Sequence, residues 1–216
     1  NGCFVLQDIA EAYVPPDVTP PAPLLLLCHG SEESGTTMID RFRGVADTHG
    51  MVLLAPHSKE RTWDIIQTGS YGHDTHRIET ALEWVFGSIT IDPQRVAIVG
   101  FSDGASYALS LGLLNGDLFR DILCFSPGGI YLPPTAPRNG HPRVFAAHGA
   151  QDEVLNPASL DIISRHLVSY LAKLSPHYDD VRYEEFEGGH YVPPAVVDQA
   201  LTWLLLHPRW CSEPSV

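Results

Sequence analysis

The fold of this chain is decided by the stretch Val96-Ala97-Ile98-Val99-Gly100-Phe101-Ser102-Asp103-Gly104-Ala105-Ser106. In it an apolar run meets a Gly-x-Ser-x-Gly pentapeptide, and small helix-forming residues follow. This pattern predicts a strand, a sharp turn and a helix, the helix running from about Gly104 to Asn115. The glycines let strand and helix pass closely, and the strained turn lifts the Ser102 hydroxyl above the sheet. The stretch therefore indicates the nucleophile elbow of a hydrolase.

Apolar runs and helical periodicities alternate on both sides of the elbow. Residues 1–23 predict an edge hairpin with strands Cys3–Gln7 and Ala12–Val14 and a proline-rich connection, because proline cannot donate to a sheet ladder. A turn at Ile91–Arg95 leads into the elbow strand. The remaining predicted strands are Leu24–Cys28, Met51–Ala55, Ile122–Phe125, Val144–Ala147 and Val181–Phe186. The remaining predicted helices are Met38–Thr48, Asp74–Gly87 with Asp74 as N-cap, Pro157–Lys173 and Pro194–Leu206.

This alternation predicts an α/β fold with a mostly parallel twisted sheet and helices on both faces. The 216 residues, 44% of them hydrophobic, suit one sizeable core, so a single domain is predicted over residues 1–216.

The charge balance limits the possible partners. Thirteen Lys and Arg stand against 26 Asp and Glu, a formal net charge of −13, which repels phosphate backbones and anionic membrane surfaces. No apolar run approaches the roughly 20 residues that span a bilayer. No nucleic-acid partner and no membrane span are therefore predicted.

The cysteines favour a reducing, cytoplasmic setting. Cys28 and Cys124 lie in apolar strand-like runs, where a buried free thiol is the ordinary interpretation. Cys3 and Cys211 lie near the two ends and could be free or paired. No charged-then-apolar leader is visible, but the chain begins at Asn1 rather than at methionine, so a removed leader stays open.

Two further reactive side chains follow predicted strands. The carboxyl ends of parallel strands meet at one crevice, and in this kind of fold the chain order is serine, acid, histidine. Asp152 follows the strand Val144–Ala147, and His190 follows the strand Val181–Phe186. Both positions fit the expected order.

We therefore predict a catalytic triad of Ser102, Asp152 and His190. Ser102 would attack a carbonyl, His190 would take its proton and pass it to the leaving group, and Asp152 would orient the imidazole. The alternatives are a turn cap for Asp152, with Glu153 as the competing acid, and a surface loop for His190.

Other polar residues near predicted strand ends have simpler interpretations. The backbone N–H groups of Asp103 and Ser31 are the predicted oxyanion-hole donors. His29 and His148 each end a buried strand, and hydrogen bonds that tie loops together are preferred over direct catalysis for both.

No metal or cofactor is predicted. His73 and His76 lie three apart at a helix start, but no third ligand has suitable spacing, so a solvated helix face is the preferred interpretation.

Together the motifs resemble the α/β-hydrolase superfamily, nearest the phospholipase/carboxylesterase (acyl-protein thioesterase-like) and dienelactone-hydrolase-like esterases. The resemblance covers roughly residues 24–206 and implies cofactor-free hydrolysis of carboxylic or thioester bonds through an acyl-enzyme. Relatives tend to have small residues or glycine where this chain has Glu32 and Glu33, and two acids near the mouth argue against strongly anionic substrates. The motifs that carry the resemblance are His29-Gly30, Ile91–Val96 followed by Gly100–Gly104, His148–Asp152 and Gly188–His190.

The predicted site is open and shallow. The stretch Ser126–Arg143 is too short and too rich in proline and glycine for a helical cap domain, so loops Pro56–Gly72 and Gly128–Pro134 should shape the site. Trp63 and Tyr71 of the first loop could line the substrate pocket, or their rings could equally anchor that loop to the body of the protein. The candidate substrate-binding residues are Trp63, Tyr71, Ile130 and Tyr131.

The resulting hypothesis is a serine carboxylesterase that cleaves small esters with short to medium acyl chains. A thioesterase or lysophospholipase-like activity would use the same triad with a different pocket. A non-catalytic hydrolase-fold protein that binds a small ligand is the third hypothesis, and a complete triad argues against it because binding needs no general base. Whether the protein is a monomer or a dimer is left open.

Overall fold

The computed structural model describes residues 2–155, 169 and 180–211. Its main sheet has eight strands in the order β1-β2-β4-β3-β5-β7-β9-β10. The pairings β1 with β2 and β2 with β4 are antiparallel, and the other five are parallel. The strands are β1 Gly2–Leu6, β2 Ala10–Val14, β3 Ala22–Cys28, β4 Val52–Pro56, β5 Ile91–Phe101, β7 Asp121–Phe125, β9 Arg143–Gly149 and β10 Val181–Phe186, with a small separate pair β6 Asn115–Gly116 and β8 Asn139–Gly140.

Five α-helices have both of their ends among the described residues. The first begins at an N-cap, Ser34, whose hydroxyl accepts from the Thr37 N–H, and it ends at Gly50 in the left-handed conformation that favours glycine. The helices are α1 Gly35–His49, α2 Asp64–Thr68, α3 His73–Ser88, α4 Asp103–Leu114 and α5 Pro194–Leu205.

Each face of the sheet is covered by its own pair of long helices. Alternate residues of the central strands point to opposite faces, so that Leu24 and Leu26 pack against α3 and α4, whereas Leu25 and Leu27 pack against α1 and α5. All four leucines are fully buried. Each contributes about 1.5–3 kcal/mol by leaving water, which explains why the central strands are apolar on both faces.

The predicted α/β architecture is confirmed. All predicted strands are present, with ends shifted by a few residues, and so are the helices that fall within the described part of the chain. The predicted helix Pro157–Lys173 lies outside the described residues. None of the described helices is long and apolar enough to cross a membrane. Residues 126–142 contain no helix, as expected for a site without a cap domain.

Three local predictions were wrong. Residues Ile91–Arg95 belong to the start of β5, although the Asp92 carboxylate accepts from the Gln94 N–H as it would in a turn. The N-cap of α3 is Gly72, because the side chain of Asp74 is turned inward to bind the preceding loop. That loop was expected to lack regular structure, but it contains the short helix α2.

The elbow brings three backbones into contact. A Cβ atom on Gly100 would lie 2.1 Å from the carbonyl oxygen of Gly104, and a Cβ on Gly104 would lie 2.2 Å from that of Cys28. Real Cβ atoms do not approach backbone oxygen this closely, so β5, α4 and β3 can meet here only if both residues are glycine. The position of the elbow in the sheet depends on this contact.

A Gly104→Ala substitution should destabilise the protein by more than about 3 kcal/mol, because the new methyl group meets backbone that cannot move away. Gly87→Ala provides the matched control, since Gly87 lies in α3 with open space around its Cβ position. That substitution should be neutral or stabilise by about 0.5–1 kcal/mol. Denaturant unfolding measures both changes. Equal effects of the two substitutions would contradict the packing described for the elbow.

Candidate active site

Ser102 occupies the strained turn between β5 and α4. Its φ of 55° and ψ of −122° lie in a region that non-glycine residues rarely adopt. The turn is held on both sides, because the Ser102 N–H donates to the carbonyl of Phe125 in β7 at 2.9 Å, and its carbonyl accepts from Ala105 and Ser106 in α4. The hydroxyl therefore projects at the carboxyl edge of the sheet.

The structure brings the three predicted triad residues together. The distance between Ser102 Oγ and His190 Nε2 is 2.8 Å, and the distance between His190 Nδ1 and Asp152 Oδ2 is 2.7 Å. Glu153, the competing acid, is exposed and has no part in this chain of contacts. Phe101 packs against the imidazole of His190 with ring centroids 5.1 Å apart, which limits how the ring can turn.

The contacts define which nitrogen of His190 carries the proton. An ionised carboxylate only accepts, so Nδ1 holds the hydrogen and donates it to Asp152. Nε2 is then an acceptor and receives the hydrogen bond that Ser102 Oγ donates. This is the arrangement in which an imidazole can act as a general base toward a serine hydroxyl.

The Asp152 carboxylate remains ionised although its side chain is buried. Burial alone raises the pKa of Asp152, but hydrogen bonds from His190 and from the backbone N–H groups of Val154 and Leu155 outweigh it, and the net pKa lies below its ordinary value. A second histidine, His148, places its Nε2 3.0 Å from Asp152 Oδ2. The sequence analysis assigned His148 to loop contacts and did not foresee this position.

A glycine contact holds the two reactive loops in place. A Cβ on Gly149 would lie 2.3 Å from the carbonyl oxygen of Gly189, so the backbone after β9 presses directly on the backbone after β10. The N–H of Gln151 donates to Gly188 at 2.8 Å, and its amide oxygen accepts from the Gly188 N–H. Asp152 and His190 are consequently held at hydrogen-bonding distance.

The two predicted oxyanion donors lie beside Ser102. Asp103 is the first residue of α4, where N–H groups have no partner within the helix, and Ser31 follows Gly30. A Cβ on Gly30 would lie 3.4 Å from the Ser102 Cβ, so this loop passes next to the nucleophile position. Within the described residues, neither the Asp103 N–H nor the Ser31 N–H donates a hydrogen bond. Both are available to an oxyanion.

The two acids near the mouth are paired with cations. Glu32 contacts Arg61 at 3.1 Å on the surface. Glu33 accepts from the Gly30 N–H at 3.0 Å through one oxygen and contacts Arg41 at 3.3 Å through the other. Glu33 therefore shapes the oxyanion loop, and the negative charge that the sequence suggested at the mouth is largely compensated.

His29 ties loops together, as the sequence analysis preferred. Its Nε2 accepts from the Ser58 N–H at 3.1 Å, so its Nδ1 carries the hydrogen and donates to the Gly30 carbonyl at 2.7 Å. Burial lowers the pKa of His29, which agrees with a neutral ring in this role.

Trp63 was predicted as a candidate substrate-binding residue, and the structure contradicts this assignment. Its side chain is fully buried, stacks on Tyr107 of α4 with centroids 4.5 Å apart, and donates from Nε1 to the His29 carbonyl at 2.9 Å. The ring anchors its loop to the body of the protein, because the indole fills the space beneath the loop. Tyr71 of the same loop is partly buried and donates to the Tyr131 carbonyl at 3.1 Å.

Two serines of α4 hold the loop that carries Ile130 and Tyr131. Ser106 Oγ accepts from the N–H groups of Gly128 at 2.8 Å and Gly129 at 3.1 Å, and Ser110 Oγ accepts from the Tyr131 N–H at 2.9 Å. The i, i+4 spacing of these serines after the elbow is visible in the sequence, but their partners are not. Ile130 and Tyr131 are both partly exposed.

Ser106→Ala should destabilise the protein by about 2–4 kcal/mol, because it leaves two backbone N–H groups without an acceptor. It should also raise the KM of an ester substrate more than it lowers kcat if this loop lines the acyl site. Thr80→Ala is the control, since within the described residues the Thr80 hydroxyl bonds only to the His76 carbonyl of its own helix, and the substitution should cost less than about 0.5 kcal/mol. Unfolding curves in denaturant would contradict the assignment if both variants matched the wild type.

No family model matches this chain. A bifunctional acetylxylan esterase/xylanase of Neocallimastix patriciarum is 27% identical over 151 residues, 68% of this chain and 22% of that protein. An acetylxylan esterase of Coprinopsis cinerea is 27% identical over 128 residues, 52% of this chain and 34% of that protein. The chain thus spans about a fifth to a third of the length of these curated relatives.

Solved structures resemble this chain over most of its length. The acetyl xylan esterase from Aspergillus awamori superposes with a TM-score of 0.70 at 16% sequence identity, covering 90% of this chain and 93% of that chain. Identity this low establishes the fold alone. Together with the strand order and the strained serine turn, the superposition identifies the fold of this chain as that of the α/β-hydrolases.

Proposed function

We propose that the protein is a serine carboxylesterase, built as one α/β-hydrolase unit over residues 1–216. The observation that carries the proposal is the continuous hydrogen-bonded chain from Ser102 through His190 to Asp152, with heavy-atom distances of 2.8 and 2.7 Å. A serine hydroxyl is a poor nucleophile without such a base, and a binding protein would not need one. The esterase relatives support the same reaction class.

In the first half of the reaction, Ser102 Oγ attacks the ester carbonyl while its proton moves to His190 Nε2. The carbonyl oxygen takes the negative charge and is held by the N–H groups of Asp103 and Ser31. Asp152 stabilises the imidazolium that forms. The tetrahedral intermediate collapses, the ester C–O bond breaks, and His190 returns the proton to the departing alcohol.

The acyl-enzyme on Ser102 is then hydrolysed by the same groups. A water molecule gives its proton to His190 and attacks the acyl carbonyl, and the oxyanion is again held by the two backbone N–H groups. The bond between the acyl carbon and Ser102 Oγ breaks as His190 returns the proton to Oγ. The carboxylic acid leaves, and the free enzyme is restored without a cofactor.

The surroundings of the site favour small, uncharged acyl groups. Val154 and Tyr191, which neighbour the candidate triad residues along the chain, are 68% and 51% exposed, so apolar surface lies close to Asp152 and His190 in the sequence. The loop with Ile130 and Tyr131 is held to α4 by hydrogen bonds. The names of the relatives include acetyl esters of xylan, and an acetyl group is the shortest member of the proposed substrate class. A thioester with the same acyl group would fit the same machinery.

We also propose a reducing, cytoplasmic setting. Its support is that all four cysteines are free thiols, two of them, Cys3 and Cys211, exposed to solvent.

A fluorophosphonate probe tests the reaction class. Wild-type protein should be labelled, and Ser102→Ala should not be labelled, because the probe forms a bond only with an activated serine. Asp152→Asn should lower kcat by about 10⁴-fold with its fold intact. Ser88→Ala, which removes an exposed hydroxyl at the end of α3, is the control and should be labelled like the wild type. Equal labelling of Ser102→Ala and wild type, or no labelling of either, would refute the proposed function.

Chain-length profiling tests the substrate class. With nitrophenyl esters, kcat/KM should be highest for acetate or butyrate and should fall by about tenfold or more at laurate, because residues 126–142 form no helical cap that could enclose a long chain. Acetylated xylo-oligosaccharides and acyl-thioesters are run beside them at equal enzyme concentration. A profile that rises steadily to laurate would contradict the short-acyl assignment, and a clear preference for thioesters would favour the thioesterase hypothesis.

A further inference from the structure

His148 lies at the carboxyl end of β9 and has no role in the reaction described above. Its side chain is almost fully buried, with 1% of its surface exposed, so it is not part of the substrate surface. Its Nε2 lies 3.0 Å from Asp152 Oδ2, which is the same oxygen that His190 Nδ1 contacts at 2.7 Å. One carboxylate oxygen therefore lies between two imidazoles.

The protonation of His148 follows from its partner. The Asp152 carboxylate only accepts, so the hydrogen of His148 is on Nε2 and is donated to Oδ2. The other oxygen, Oδ1, accepts from the N–H groups of Val154 at 3.0 Å and Leu155 at 3.2 Å. Four donors thus surround the carboxylate, about as many as its lone pairs can accept, and each oxygen has two.

We propose that His148 is a positioning residue that acts through Asp152: its Nε2–H fixes the orientation of the carboxylate and limits the negative charge that Oδ2 presents to His190. The inference rests on the proposed ester hydrolysis. It assigns no contact with the substrate to His148.

The neutral state of His148 is supported by its surroundings. Burial lowers the pKa of His148, while the facing Asp152 carboxylate raises it, and the net pKa lies below its ordinary value. The charge of His190 also lowers the pKa of His148, whereas the carboxylate of Glu185, the β10 residue paired in register with His148, raises it. On the far side, the guanidinium of Arg41 lies 5.0 Å from the centre of the Phe101 ring that packs on His190.

Loss of the His148 donor has two consequences. Among the described residues Oδ2 then keeps only its contact with His190, so the carboxylate is fixed at Oδ1 but less well at Oδ2, and it holds the His190 ring less firmly in its productive orientation. The negative charge on Oδ2 is also less dispersed, which favours the imidazolium form of His190 and moves the acid limb of the pH–rate profile to higher pH. A residue that only filled space would produce neither change.

Two substitutions at the same position test the inference. His148→Gln keeps an N–H donor near the position of Nε2, and His148→Phe keeps the ring but removes the donor. With a nitrophenyl acetate substrate, His148→Phe should lower kcat by about 10- to 100-fold, the size expected for losing one hydrogen bond to a charged group, with KM changed by less than about twofold. His148→Gln should recover most of this loss.

The pH profile separates positioning from simple damage. In His148→Phe the midpoint of the acid limb of kcat/KM should move up by about 0.5 pH unit, whereas a partly misfolded enzyme would lose amplitude at an unchanged midpoint. Circular dichroism and unfolding curves check that both variants fold. His76→Gln and His76→Phe are matched controls on the exposed surface of α3 and should leave both kcat and the midpoint unchanged.

If His148→Phe folds and keeps wild-type kcat and midpoint, the inference is wrong. It is also wrong if Gln and Phe impair kcat equally at an unchanged midpoint. Failure of the proposed function gives a different result, because wild-type protein would then show neither hydrolysis nor fluorophosphonate labelling at Ser102.

Discussion

The backbone contact between the elbow and its neighbouring strands is the constraint on which the rest of the site depends. Gly100 and Gly104 allow β5 and α4 to touch, and Gly104 in turn touches the carbonyl of Cys28 at the end of β3. This contact forces Ser102 into its strained conformation and sets the start of α4 beside the loop that follows β3. Ser102, the proposed nucleophile, and Asp103 and Ser31, the proposed oxyanion donors, therefore lie next to the same packing contact.

A second backbone contact, independent of the first, positions Asp152 and His190, the proposed acid and base. Gly149 presses on the Gly188-Gly189 backbone, which explains the His-Gly and Gly-Gly-His patterns at the ends of β9 and β10. Within the described residues, four hydrogen-bond donors surround the Asp152 carboxylate. They keep it ionised although it is buried. The two contacts meet at the hydrogen bond between Ser102 and His190.

The fold and the positions of the proposed site residues could be predicted from the sequence because they depend on local patterns. Ser102 and Asp152 follow apolar runs that form strands buried on both faces, and His190 follows the shorter, partly exposed strand β10. The chain order of α/β folds then places all three at one edge of the sheet. Little information beyond periodicity and glycine placement was needed for this step.

Features that depend on long-range side-chain contacts could not be predicted. Trp63 is an aromatic residue in a long polar loop. Nothing in the sequence shows that its ring stacks on Tyr107 or that its Nε1 donates to the His29 carbonyl. The contact of His148 with Asp152 depends on how far the loop after β9 turns back. The sequence showed Glu33 as a charge at the mouth, but its pairing with Arg41 and with the Gly30 N–H appears only in the folded chain.

The central claim is that an acyl group passes through Ser102, and trapping that intermediate tests it most directly. The enzyme is mixed with excess nitrophenyl acetate, the reaction is quenched in acid within the first turnovers, and peptide mass spectrometry locates the acetyl group. The account predicts one acetyl group on Ser102 and accumulation of this species in His190→Ala when acylation is allowed hours to proceed. Acetylation at another residue in an actively hydrolysing enzyme, with Ser102 unmodified, would contradict it.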